Sequence, residues 1–493
     1  MSSTAPRVVT PPLGVLSRRV GSGARFFVRA RFARGLGIGC ALAGMLQYTS
    51  SVNRPVLGRW SYQFTALLLA TAALLVLAAA RSWRGLRESK TGQGVPVGTS
   101  LVDLAVLCWG AAYLTGALDA PENGSRLLDA NLFGSVPPAA ALLEWVSLVL
   151  LFLATARRVA RRIPARWKDS ALLLGTLGAL YLAGEGAARV RTAIAPEVVA
   201  FPTCSLKAWL RRYVRLNSLG FRDGEHALAA PDHVRRLLLI GDSFAFGWGI
   251  PRVGDRFGEQ LGARLTAATG EPWEILNFSR PDTHTLHHLG FLHRGLVYRP
   301  DVVILLYVFN DIDYLAAARG FVPVVERNII SEHPHTLAER LHPLRLVYWN
   351  SYVFQELYVR VPLIRQRREE DRGGAAPDPY ADSATVARHL VDLSRFVALA
   401  RDAGATVAIV PFDPAVASAP PARRRYDHFV ATAVAAGLPV WSAAGAFAGY
   451  TSSALTINRR DGHPNPLADR LAAREVCVRL EATLGAPTGP CTP

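Results

Sequence analysis

Hydrophobic and polar positions change their rhythm near residue 200. Before it, long apolar runs at 35–51, 62–80, 101–118, 138–156 and 170–188 alternate with short Arg-rich loops. A bilayer core asks for about 20 apolar residues per helix, so these five runs predict membrane-spanning helices. The run at 35–51 is the shortest and the richest in glycine. After residue 200 the runs shorten and begin to alternate. Val234–Ile240, Trp273–Phe278, Asp301–Val308, Ala405–Pro411 and Leu438–Ser442 read as buried strands. Between them, 255–269, 283–297, 384–403, 422–436 and 465–484 carry helical spacing. Strand–helix alternation predicts a parallel sheet covered on both faces, here a flavodoxin-like doubly wound α/β domain.

The expected organisation is a basic arm (1–34), a helical membrane region (35–188), a linker (189–234) and an α/β domain (235–486). An insertion at about 314–383 interrupts the alternation. Its aromatic stretch, Leu341 to Ile364, suits a lid, a membrane-facing helix or a helix packed on the sheet. Arg365–Tyr380 is charged and then rich in Gly, Ala and Pro, the composition of a mobile loop.

Charge adds orientation. The net charge of +17 invites a nucleic-acid interpretation, but much of the excess sits in the arm and two inter-helix loops. Arg18, Arg19, Arg25, Arg29, Arg31 and Arg34 precede the first helix. Arg81, Arg84, Arg87 and Lys90 follow the second, and Arg157, Arg158, Arg161, Arg162, Arg166 and Lys168 follow the fourth. Positive loops stay in the cytoplasm. The acidic loop 119–137 falls outside, as does everything after residue 190. Asp103, Glu144 and Glu185 lie inside predicted spans, where carboxylates are costly. Asp103 sits at the inner end of its helix, and both glutamates lie toward the outward ends, a short shift from water. The basic lead of about 34 residues is too long for a signal peptide.

Five cysteines show no paired spacing. Cys40 and Cys108 fall in apolar segments. Cys204, Cys477 and Cys491 belong to the soluble part, and Cys204 and Cys491 can bridge if that part is extracytoplasmic. Spacing alone does not fix the pairing.

Three polar signals stand at or near strand ends, where such sheets hold ligands. They are Gly241-Asp242-Ser243, Asn310-Asp311 and Asp461-Gly462-His463-Pro464-Asn465. A serine hydroxyl needs a base to become a nucleophile. His463 is the best placed of twelve histidines, in a Gly/Pro loop before the last helix, and Asp461 can fix its tautomer. An oxyanion needs preorganised donors, and the N–H of Ser243, a backbone N–H near Ser279 and the Asn310 amide are the candidates. The cluster His284, His287, His288, His293 lacks a thiol or carboxylate at ligand spacing, so a polar helix face is expected there, with no metal and no cofactor. Gly247, Gly249 and Gly254 match neither a dinucleotide nor a phosphate loop. Ser243 is not in a Gly-x-Ser-x-Gly elbow.

From residue 217 to 484 these motifs, in this order, resemble the SGNH (GDSL-like) hydrolase family. The resemblance implies Ser243 as nucleophile, His463 as base, Asp461 as orienting acid, and Ser243, Ser279 and Asn310 as oxyanion donors. The chain departs from the family's pattern at three places. Ser279 and Val308 stand where glycines are usual, and Asp461 is two rather than three residues before His463. The expected function is a membrane-anchored serine esterase. It would remove acyl groups, acetyl among them, from an envelope glycan or lipid, with the catalytic domain outside a bacterial inner membrane. The alternatives are an O-acyltransferase using the same residues, with a membrane acyl-donor partner, and a non-catalytic glycan-binding module.

Overall fold

The computed structural model describes residues 34–44, 55–57, 60–89, 97–118, 138–199, 203–318, 342–360, 378–484 and 491. The chain divides into two compact units, 1–195 with 329–359, and 196–328 with 360–493.

Among the described residues of the first unit, four helices are long and apolar enough to cross a membrane: 62–80, 101–118, 138–160 and 165–194. That supports membrane association. Of the weak first run, residues 34–44 are helical; its remainder, the basic arm before Arg34 and the loop 119–137 lie outside the described residues. Asp103 is ion-paired with Arg34. Glu144 and Glu185 do not face solvent in the fold. Both are buried, and Arg189 joins them at 3.0 and 2.9 Å. An uncompensated charge there would be prohibitive; pairing with hydrogen bonds makes it tolerable. Glu185 also accepts from the N–H groups of Tyr352 and Val353 at 3.0 and 3.1 Å, at the start of the helix Tyr352–Tyr358. A carboxylate at a helix N-terminus meets unpaired N–H groups and the positive end of the dipole. The aromatic stretch of the insertion thus packs with the apolar helices rather than on the sheet. The expected mobile loop falls mostly outside the described residues.

The second unit is built on a parallel sheet of order β2-β1-β3-β4. Its strands are β1 (Arg235–Gly241), β2 (Trp273–Ser279), β3 (Val302–Tyr307) and β4 (Thr406–Pro411). Leu237–Ile240 and Val302–Tyr307 are fully buried, as strands covered on both faces must be. The helices Phe257–Thr269, Thr285–Leu296, Ser383–Asp402, Pro420–Ala435 and Pro466–Leu484 alternate with or follow the strands. The expected strand Leu438–Ser442 is reduced to one bridge, Ile409 to Val440. Proline has no N–H to extend a ladder, and Pro439 contributes only its carbonyl, to the Ile409 N–H at 2.8 Å.

A separate antiparallel hairpin, β5 (Thr456–Asn458) and β6 (Asp461–Pro464), precedes the last helix. Cys491 bridges to Cys477 on that helix, with Cα atoms 5.5 Å apart, and not to Cys204. Cys491, 14 residues on from Cys477, lies within bridging reach of it. Cys204 is buried at the start of the helix Cys204–Tyr213.

Candidate active site

β1 is flanked by β2 and β3, so the chain leaves it in opposite directions and a crevice opens at its carboxyl end. The strand's last residue, Gly241, has no room for a side chain: a Cβ there would lie 2.8 Å from that of Ala245 and 3.0 Å from the Leu306 carbonyl. Asp242 then caps the short helix Ser243–Phe246, its Oδ1 accepting from the Phe244 N–H at 2.9 Å. This places Ser243 in a first helical turn, where N–H groups lack intrahelical acceptors.

His463 Nε2 stands 2.8 Å from Ser243 Oγ, and His463 Nδ1 stands 2.5 Å from Asp461 Oδ1. The same carboxylate oxygen accepts from the His463 N–H at 3.0 Å. The two-residue spacing follows from the strand. Residues i and i+2 share a face, so Asp461 and His463 project together from β6. A loop was expected here; a hairpin strand carries the pair instead. Asp461 is 2% exposed, as suits a group that orients an imidazole rather than meeting solvent.

Asn310 follows β3 and is exposed. Its Nδ2 donates to Asp242 Oδ2 at 3.2 Å, and that oxygen lies 3.3 Å from Ser243 Oγ. The amide therefore sits beside the serine. Burial raises the Asp242 pKa. Ser279 pairs with Gly241 across the sheet, but its hydroxyl turns back to Asn277. Among the described residues no hydrogen bond links Ser279 to Ser243, His463 or Asp461. Ser279, where a glycine is usual, does not take a positive φ; Asp282, three residues later, does, with φ 60°.

Behind the site, Asp311 and His288 face each other at 3.7 Å, both fully buried. Burial, with the Asp242 charge, holds the Asp311 carboxyl well above its ordinary range. Burial pushes His288 down to about 3. His288 is thus neutral at pH 7, and the same burial favours the protonated form of Asp311. His288 is a core residue near Thr283, not part of the polar helix face expected for that cluster.

Sequence reasoning passed over two residues that the structure places at this site. Arg222 lies buried beneath the turn after Ser243, and Trp248 stands beside His463 with ring centroids 5.9 Å apart. Both depend on tertiary neighbours that no local pattern announces.

Residues 239–471 match the sequence profile of the GDSL-like Lipase/Acylhydrolase family. That match supports ester hydrolysis by this part of the chain. The crystal structure of TesA is 14% identical and covers 49% of this chain and 96% of its own, with a TM-score of 0.29. The lipase Lip_vut3 from a goat rumen metagenome is 12% identical and covers 49% and 95%, with a TM-score of 0.30. No curated protein matches the chain.

Proposed function

We propose that the chain is a membrane-anchored serine esterase that cleaves acyl esters of a cell-envelope glycan or lipid on the outer side of the membrane. The observation that carries this is the unbroken contact from Ser243 through His463 to Asp461. Ser243 Oγ attacks the acyl carbonyl while His463 Nε2 takes its proton. Asp461 keeps the imidazole N–H on Nδ1 and stabilises the imidazolium that forms. The Ser243 N–H and the Asn310 amide receive the developing oxyanion. His463 then returns the proton to the departing alcohol, and water repeats the cycle on the acyl-enzyme. The extracytoplasmic placement rests on the Arg-rich loops and their alternation.

The test is hydrolysis of p-nitrophenyl esters from acetyl to octanoyl by the full chain in detergent, wild type beside Ser243→Ala. Turnover that vanishes in the variant supports the reading, and the preferred chain length indicates the acyl group. Turnover appearing only with an added sugar hydroxyl would replace esterase by acyltransferase. Tight glycan binding without any turnover would leave a binding module.

A further inference from the structure

We infer that Trp248 is the surface on which the alcohol half of the ester rests, and that this alcohol is a sugar ring. The inference rests on the esterase reading and adds the leaving-group class.

The turn that carries Trp248 is built to hold one geometry. Gly247 and Gly249 take φ of 71° and 83°, a region where a side chain is strained. A Cβ on Gly247 would lie 2.5 Å from Arg256 Cδ, and one on Gly249 would lie 2.7 Å from Ile457 Cγ1. The Trp248 N–H closes back on the Ser243 carbonyl at 3.0 Å, which ties the indole's position to the nucleophile's own backbone.

One buried cation clamps this turn at both ends. Arg222 donates through Nη1 to the carbonyl of Gly247 at 2.8 Å, and through Nη2 to those of Ile250 at 2.8 Å and Tyr213 at 3.1 Å. Its guanidinium also lies 5.4 Å from the Trp209 ring. Trp209 comes from the helix Cys204–Tyr213, in the stretch expected to be only a linker. It is 2% exposed and sits 6.0 Å from Trp248, backing it. Trp248 itself is only partly buried.

The same linker is fastened to the hairpin that bears the acid and the base. Glu197 pairs with Arg460 at 2.6 Å, and Asn458 Nδ2 donates to the Val198 carbonyl at 2.8 Å. Indole and imidazole are therefore fixed relative to each other from two directions.

Chemistry then says what lies between them. The departing oxygen must come within about 3 Å of His463 Nε2 to receive its proton. The body of the alcohol consequently lies against whatever flanks the imidazole. Among the described residues, the aromatic rings beside it are Trp248 at 5.9 Å and Phe244 at 5.3 Å between centroids, both partly exposed. A lone exposed aromatic needs no explanation, but this one is held by two glycines in the left-handed region, a buried arginine and a second tryptophan. A flat, rigid partner with a C–H face suits a fixed aromatic plane. A pyranose ring offers that face and loses little freedom on binding, whereas a long-chain alcohol loses several rotors.

The experiment uses the full chain in detergent and compares kcat/KM for an O-acetylated methyl pyranoside, ethyl acetate and dodecyl acetate. The readout is the ratio of pyranoside to ethyl acetate within one preparation, which does not depend on how much enzyme is folded. Trp248→Ala should lower that ratio at least tenfold, mainly through KM, and Trp248→Phe should recover most of it. A ratio within twofold of wild type would overturn the inference. So would a loss that falls on dodecyl acetate and spares the pyranoside. A wild type inactive on all three esters would remove the esterase reading and this inference together. Activity on ethyl acetate with an unchanged ratio would remove the inference alone.

Discussion

His463 Nε2 lies 2.8 Å from Ser243 Oγ although the two residues stand 220 positions apart in the chain. The two are brought to this distance by different devices. The carboxyl end of a buried parallel strand fixes the serine, and a small antiparallel hairpin fixes the histidine. Ser243→Ala and His463→Ala each break this contact at a site that is not part of the main core. Each should lower kcat for ester hydrolysis by about 10⁴-fold or more, with circular dichroism and thermal midpoint unchanged.

Asp461 acts through the imidazole. Asp461→Asn keeps the shape but offers an amide where Nδ1–H needs an acceptor, so the wrong tautomer is favoured. The expected loss is about 10²–10⁴ in kcat, with KM nearly constant. Rates near wild type in Asp461→Asn and Asp461→Ala would reduce the site to a Ser–His pair.

Asn310 contributes where negative charge appears. Asn310→Ala should cost about 10²–10³ in kcat and much less in KM, as measured by steady-state kinetics on one ester. A change confined to KM would make the amide a substrate anchor rather than an oxyanion donor.

His226 gives the fold a pH dependence on the alkaline side. Its ring bridges Asp223 at 2.9 Å and Glu274 at 2.7 Å. The bond to Asp223, with that to Glu274, raises its pKa from 6.5 to about 9. A folded pKa above the unfolded one means the stabilisation is complete below pH 6.5 and is lost as pH climbs through 9. Thermal midpoints across that interval should fall in the wild type, and His226→Gln should flatten the slope. An equal slope in both would assign the effect to other groups.

Much of this could be read from the chain because parallel strands write themselves plainly. Leu237–Ile240 and Val302–Leu306 are continuous apolar runs, and the polar residues that follow them must lie at the sheet's carboxyl edge. The places of Ser243 and Asn310 just beyond the strand ends were legible for that reason. Asp461 was harder, since its spacing to His463 makes sense only once β6 is known to be a strand with both residues on one face. Glu185 and Glu144 look like isolated intramembrane carboxylates until Arg189 and the returning helix at Tyr352 supply their partners. Arg222 and Trp248 were not legible at all. Their roles come from carbonyls and rings contributed by Tyr213, Ile250 and Trp209, which only the folded chain gathers.

The central claim is that Ser243 is the nucleophile and His463 its activator. Brief incubation of the full-length protein with p-nitrophenyl acetate, acid quenching and peptide mass spectrometry tests it most directly. The account predicts one acetyl adduct, on the peptide containing Ser243, and none there in His463→Ala. Ester turnover with the acetyl group on another residue, or undiminished labelling of Ser243 in His463→Ala, would contradict it.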